Sequence, residues 1–220
     1  MRISLIGTYH AETGLTSVSE LHGILERLQP EVIFAEIPSS KLSRYINGSH
    51  ANLESQAVAI FRKNHAAEVV PVDLDEPSED FFRQAGEMFV KVEHTSAPYR
   101  QLIDQQSSAV RDGGFAYLNS ERCQQVLADI HKETLDTLAW TRNEGLKEIY
   151  EHWIQVNDLR EKTMLANIYR YCEGCPLTSG ALLVGTAHRK ALMGKIQQLQ
   201  CKDSSQVTWD FEIPLTMRQK

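Results

Sequence analysis

The chain has 220 residues, 42% of them hydrophobic and 24% charged, with a formal net charge of -6. This is the composition of a globular protein long enough to bury a core without disulfides. The acidic balance and the absence of a dense Lys/Arg cluster exclude nucleic acid as a main partner, and no apolar run reaches the ~18 residues of a membrane span. The opening run to Ile6 is interrupted too soon by Gly7 to serve as a secretion signal, so the expected location is the cytoplasm. The expected partner is a small-molecule or peptide substrate, and the oligomeric state is left open.

Ile3, Leu5 and Ile6 predict a first strand that ends at Gly7. Ser17 or Ser19 caps a helix carrying Leu21, Ile24, Leu25 and Leu28, stopped by Pro30. Val32 to Ala35 is apolar on both faces, as in a buried parallel strand. Residues 53–63 predict a helix with Ala57, Ile60 and Phe61 on one face, and 69–73 predict a third strand whose proline suits an edge. Strand, helix, strand, helix, strand is the rhythm of a parallel α/β sheet with right-handed crossovers.

From Ser78 to about Tyr171 the rhythm becomes helical. Pro77, Ser78, Glu79 and Asp80 open a helix striped by Phe81, Phe82, Ala85, Met88, Phe89 and Val92. Asp112-Gly113-Gly114 predicts a turn, Asn119-Ser120-Glu121 a new helix start, and Gly145 and Asn157-Asp158 predict interruptions. The sheet resumes at Ala181 to Val184, a helix follows His188, and 207–213 alternate as a strand with one wet face. The chain therefore predicts one α/β domain over 1–220: a central, mainly parallel sheet drawn from both chain ends, with a helical block at about 76–172 inserted over its carboxyl edge.

The chemistry-bearing residues fall on that edge. Gly7-Thr8-Tyr9-His10 returns as Gly185-Thr186-Ala187-His188, each copy directly after an apolar strand. Gly7 and Gly185 suit either a positive φ or a close approach. The two histidines read either as turn residues or as a convergent pair, able to ligate a metal or to act as general base. Glu36 closes the second strand and needs a partner or solvent. With the histidines it makes a two-His, one-carboxylate set with an open position. Glu12 is a second acid near His10; Asp73 and Asp75 lie on the same edge and also suit an ordinary turn. Arg160 has no acid three or four residues away on its own helix and shares a face with Met164 and Asn167, so a tertiary carboxylate such as Glu36 or a substrate oxyanion would explain it. Arg189, beside His188, is a further candidate. Cys172 and Cys175 form a CxxC that reads as a zinc half-site, a redox pair or a plain turn.

Together, Gly7 to His10, Glu36 after its apolar strand, Arg160-Glu161-x-x-Met164 and Gly185 to His188 resemble the TraB/Tiki family, within a wider group of erythromycin-esterase-like and haem-binding ChaN-like proteins. The resemblance implies a sheet with a helical insertion and a metal-dependent hydrolase, peptidase-like in the Tiki branch. On it, His10, His188 and Glu36 would hold a divalent cation (Mn, Co or Zn), Glu36 or Glu12 would accept the proton of a bound water, and Arg160 would stabilise the oxyanion. Two alternatives use the same fold: a non-enzymatic binding or regulatory module, for instance for haem with a histidine axial ligand, and a metal-free, esterase-like hydrolase with a histidine general base.

Overall fold

The computed structural model describes residues 1–74, 77–200 and 207–214. In chain order the elements are β1 (Arg2–Thr8), α1 (Val18–Leu28), β2 (Val32–Ala35), α2 (Leu42–Ile46), α3 (Leu53–Phe61), β3 (Glu68–Pro71), α4 (Glu79–Thr95), α5 (Ala97–Leu118), α6 (Glu121–Thr141), α7 (Glu144–Cys172), β4 (Ser179–Gly185), α8 (Thr186–Gln200) and β5 (Thr208–Asp210). The sheet is parallel throughout, in the order β3-β2-β4-β1-β5. The late strand β4 thus sits between two early ones, as expected of a sheet assembled from both ends.

Its strands are buried on both sides, and period-two alternation sends neighbours to opposite cores. Ile6, Ile33, Ala35, Ala181 and Leu183 meet α1, α3 and the end of α5. Ile3, Leu5, Val32, Phe34, Leu182 and Val184 meet α7 and α8. The helical block keeps a third core of its own around Met88, Val92, Tyr99, Leu138, Leu146 and Tyr150.

Local signals place several boundaries. Ser17 accepts the Glu20 amide at the start of α1, Ser78 that of Phe81 at α4, and Ser120 that of Cys123 at α6. Elsewhere tertiary packing overrides the sequence. The break expected at Asp112-Gly113-Gly114 is sharper than a loop: α5 is two helical segments that meet at Gly114, whose backbone is non-helical (φ 56°, ψ -149°). A side chain at Gly114 would collide with the Glu20 carboxylate, which accepts the Phe115 amide at 3.1 Å. Neither Asn157 nor Asp158 interrupts α7, a helix of 29 residues whose packing on the sheet outweighs the weak propensity of Asn and Asp. The third strand ends at Pro71, and Ile60 and Phe82 are 39% and 50% exposed rather than core. The last strand covers only Thr208–Asp210. No helix among the described residues is long and apolar enough to cross a membrane.

Candidate functional site

The register explains why the two Gly-Thr-x-His runs meet. β1 and β4 are adjacent and parallel, with Gly7 opposite Val184 and Thr8 opposite Gly185. Both runs leave the sheet at its carboxyl edge, where ligands bind in open α/β sheets. β2 flanks β4, so Glu36 lands beside Gly185; β3 flanks β2, so Asp73 lands beside Ile37, donating its amide to Ile37 O at 3.2 Å. Neither glycine has a positive φ. They serve close approach instead. A Cβ on Gly7 would stand 3.1 Å from Arg189 Cδ and from Thr186 Oγ1, and one on Gly185 would stand 3.4 Å from Glu36 Oε2 and 3.6 Å from His10 Nε2.

The centre is an ionic lock. Arg160, carried in by α7, donates from Nη2 to Glu36 Oε1 at 2.6 Å and to Asp73 Oδ2 at 2.7 Å. Its Nε reaches Asp73 at 3.2 Å and its Nη1 reaches Asn157 Oδ1 at 3.2 Å. The other Glu36 oxygen accepts the Gly185 amide at 2.6 Å, at the threshold of α8. The sequence-level expectation of a tertiary carboxylate for Arg160 is met by two. Burial alone would push the Glu36 carboxyl up, but the hydrogen bond and charge of His188, the charge of Arg160 and the Gly185 amide hold it at about 2.

The two histidines end up in opposite surroundings. His188 lies inside the first turn of α8, not ahead of it, with 11% side-chain exposure. Its Nδ1 donates to Glu161 Oε1 at 2.8 Å, and its Nε2 stands 3.4 Å from both Glu36 Oε1 and Arg160 Nη1. Glu161 is held in turn by Lys195 Nζ at 2.6 Å, which also meets Asp158 at 3.0 Å. Burial and Arg160 push the imidazole towards its neutral form; Glu161 and Glu36 outweigh them and raise its pKa to about 9. His188 is therefore an imidazolium at neutral pH.

His10 sits in the open, with 63% side-chain exposure. Its Nδ1 donates to Glu54 Oε1 at 2.8 Å, which also accepts the Thr8 hydroxyl at 2.6 Å. The carboxylate fixes the proton on Nδ1 and leaves Nε2 as the acceptor of the neutral ring. The hydrogen bond to Glu54 raises the His10 pKa; burial opposes it, the charges of Glu54 and Glu36 add to it and that of His188 subtracts. His10 opens on a cavity of about 250 Å³ bounded by Glu36, Asp73 and Arg160 on one side and by Lys41, His50 and Asn52 on another, with Ile37, Pro38, Pro77 and Phe82 as its apolar wall.

Two candidates stand elsewhere. Glu12 accepts the Val18 amide at 2.8 Å on the surface and caps α1, so it does not serve His10. Arg189 is buried rather than on a surface helix face, 4% exposed, and donates to Phe211 O at 2.6 Å away from the cavity. Asp75 lies outside the described residues. Sequence reasoning missed Glu54, and it noted Glu161 only as the acid of the Arg160-Glu161-x-x-Met164 motif, with no role of its own. Both carry the same signal: an acid on the apolar stripe of a helix, with Ala57, Val58 and Phe61 in one case and Met164, Leu165 and Ile168 in the other.

A divalent cation does not fit these residues as they are placed. Among the described residues no three His, Cys, Asp or Glu side chains are grouped to hold one. The position between Glu36 and Asp73 is filled by the Arg160 guanidinium, and both nitrogens of His188 face carboxylates. No protein-family model, curated protein or solved structure matches the chain.

Proposed function

We propose that this protein hydrolyses ester or amide bonds of small-molecule or peptide substrates by metal-free general acid–base catalysis, with His10 as the base. The observation that carries the reading is the Glu54–His10 pair: a half-exposed imidazole, oriented through Nδ1 by a buried carboxylate at 2.8 Å, on the wall of a cavity. In that arrangement His10 Nε2 takes a proton from the attacking water and returns it to the leaving group, while Glu54 steadies the imidazolium formed in between.

Arg160 has a different task from the one expected. Its Nε and Nη2 donate to Asp73 and Glu36 and its Nη1 to Asn157, so most of its N–H groups are taken up by protein partners rather than aimed at an oxyanion. Its task is structural: it ties Glu36, at the end of β2, to Asp73, beyond β3, and so fixes one wall of the cavity that His10 faces. Glu161 and Lys195 are positioning residues that hold His188 in place.

The test is hydrolysis of a panel of chromogenic acyl esters and amides by the wild type, His10→Ala and Glu54→Gln, each with and without a chelator. The expected result is chelator-insensitive hydrolysis by the wild type that falls by about 10²–10⁴-fold in His10→Ala. Equal rates in wild type and His10→Ala, or no hydrolysis of any substrate, would sink the reading. Activity abolished by the chelator would replace it with the metal-dependent one.

A further inference from the structure

With Arg160 taken up by Asp73, Glu36 and Asn157, the negative charge that builds on a carbonyl oxygen during hydrolysis needs a donor from elsewhere on the cavity wall. The backbone amides at the two strand ends are engaged: Gly185 N donates to Glu36 Oε2 at 2.6 Å and Gly7 N to Asn119 Oδ1 at 2.7 Å.

Asn52 remains. It lines the cavity together with His10 and is half-buried. It is also the N-cap of α3, and its Oδ1 accepts the Ser55 amide at 3.0 Å. A backbone amide only donates, so this bond decides which end of the side chain is oxygen. The other end, Nδ2, carries two N–H groups, and nothing among the described residues accepts from it. The backbone fixes this amide relative to the base. The Leu53 amide donates to His10 O at 3.0 Å, and Glu54, two residues after Asn52, holds His10 Nδ1 at 2.8 Å. The first turn of α3 thus orients the base and also carries the amide, at the end of the helix where the dipole is positive.

We infer that Asn52 is a catalytic residue of the hydrolysis proposed above, on which this assignment rests: Nδ2 donates to the oxyanion of the tetrahedral intermediate. The water oxygen bonds to the carbonyl carbon, the π pair moves onto the carbonyl oxygen beside Asn52 Nδ2, and one water proton passes to His10 Nε2. When that pair returns, the C=O bond re-forms, the bond to the leaving alcohol or amine breaks, and the leaving group takes the proton from His10. The products are a carboxylic acid and an alcohol or amine, with no net oxidation or reduction. A hydrogen bond to this oxygen strengthens as charge grows on it, so Asn52 acts on the transition state more than on the bound substrate.

The experiment separates this role from capping. Aspartate and serine cap helices as asparagine does, but neither presents the amide N–H pair. Asn52→Asp and Asn52→Ser are compared with the wild type and His10→Ala in the hydrolysis of p-nitrophenyl acetate, on the alkaline plateau of the pH–rate profile where the base is neutral in every variant. Thermal unfolding is recorded alongside. Both Asn52 variants are expected to unfold as the wild type does, to keep its KM and to lose about 10²–10³-fold in kcat. His10-dependent hydrolysis that both folded variants perform at the wild-type kcat, or a loss confined to KM, overturns the assignment of Asn52 and leaves His10 as the base. Hydrolysis that is absent, or that His10→Ala leaves intact, overturns both.

Discussion

The two Gly-Thr-x-His arms are near-identical as sequence and opposite as chemistry. One histidine is 63% exposed and the other 11%. Each leans on a helix-borne carboxylate through Nδ1 at 2.8 Å. The difference lies at Nε2. In the second arm it faces Glu36, so the ring sits between two carboxylates and stays charged; in the first it faces the cavity, so the ring remains available to accept a proton. A repeated motif fixes where a histidine leaves the sheet, while the number of carboxylates it meets sets its role.

The largest effect expected from breaking this contrast is on turnover. His10→Ala removes the base and lowers hydrolysis by about 10²–10⁴-fold. Glu54→Gln keeps the shape but removes the main cause of the raised His10 pKa. The base works when neutral, so activity rises with pH, and its midpoint lies above 6.5 in the wild type. A pH–rate profile of Glu54→Gln is expected to show that midpoint moved down; an unmoved midpoint would detach Glu54 from His10.

The next effect is on folding. Arg160→Ala strips Asp73 of its guanidinium partner and leaves Glu36 with His188 as its remaining cation, both carboxylates being 8% exposed. Breaking a buried pair from one side costs about 3–5 kcal/mol, readable as a lowered urea midpoint at unchanged slope. A loss under about 1 kcal/mol would place the guanidinium at the surface.

A smaller effect is the pH dependence of stability. The His188 contribution is fully present below its unfolded value of 6.5 and is lost as pH rises through about 9. The Glu36 contribution is present above 4.5 and is lost as pH falls towards about 2. Stability from this pair is therefore flat between these limits and falls on either side by up to about 1.4 kcal/mol per pH unit for each group titrating. In His188→Asn the alkaline limb is expected to flatten; an unchanged limb would remove His188 as its source.

The smallest change is at Glu12. Because its carboxylate caps α1 at the surface, Glu12→Ala is expected to cost under about 1 kcal/mol in thermal unfolding and to leave hydrolysis unchanged. A large loss of turnover would return Glu12 to the site.

The sequence by itself determined the parallel strands, since runs such as Val32 to Ala35 are apolar on both faces, and it placed His10, Glu36, Asp73 and His188 at strand ends. It also exposed Arg160 as a cation without a local acid. These are properties of short windows, where strand and helix periods act within a few residues. Only the tertiary structure decided which carboxylate meets which base. Glu54 and Glu161 read as ordinary acids of charged helices until α3 and α7 turn them inward onto β1 and α8. It also decided that the break at Gly114 joins two helical segments directly, because the Glu20 carboxylate that accepts the Phe115 amide there comes from α1. Pairings of this kind span tens of residues and depend on strand order and helix docking, so the chemistry of the two histidines was fixed by the fold rather than by the motif they share.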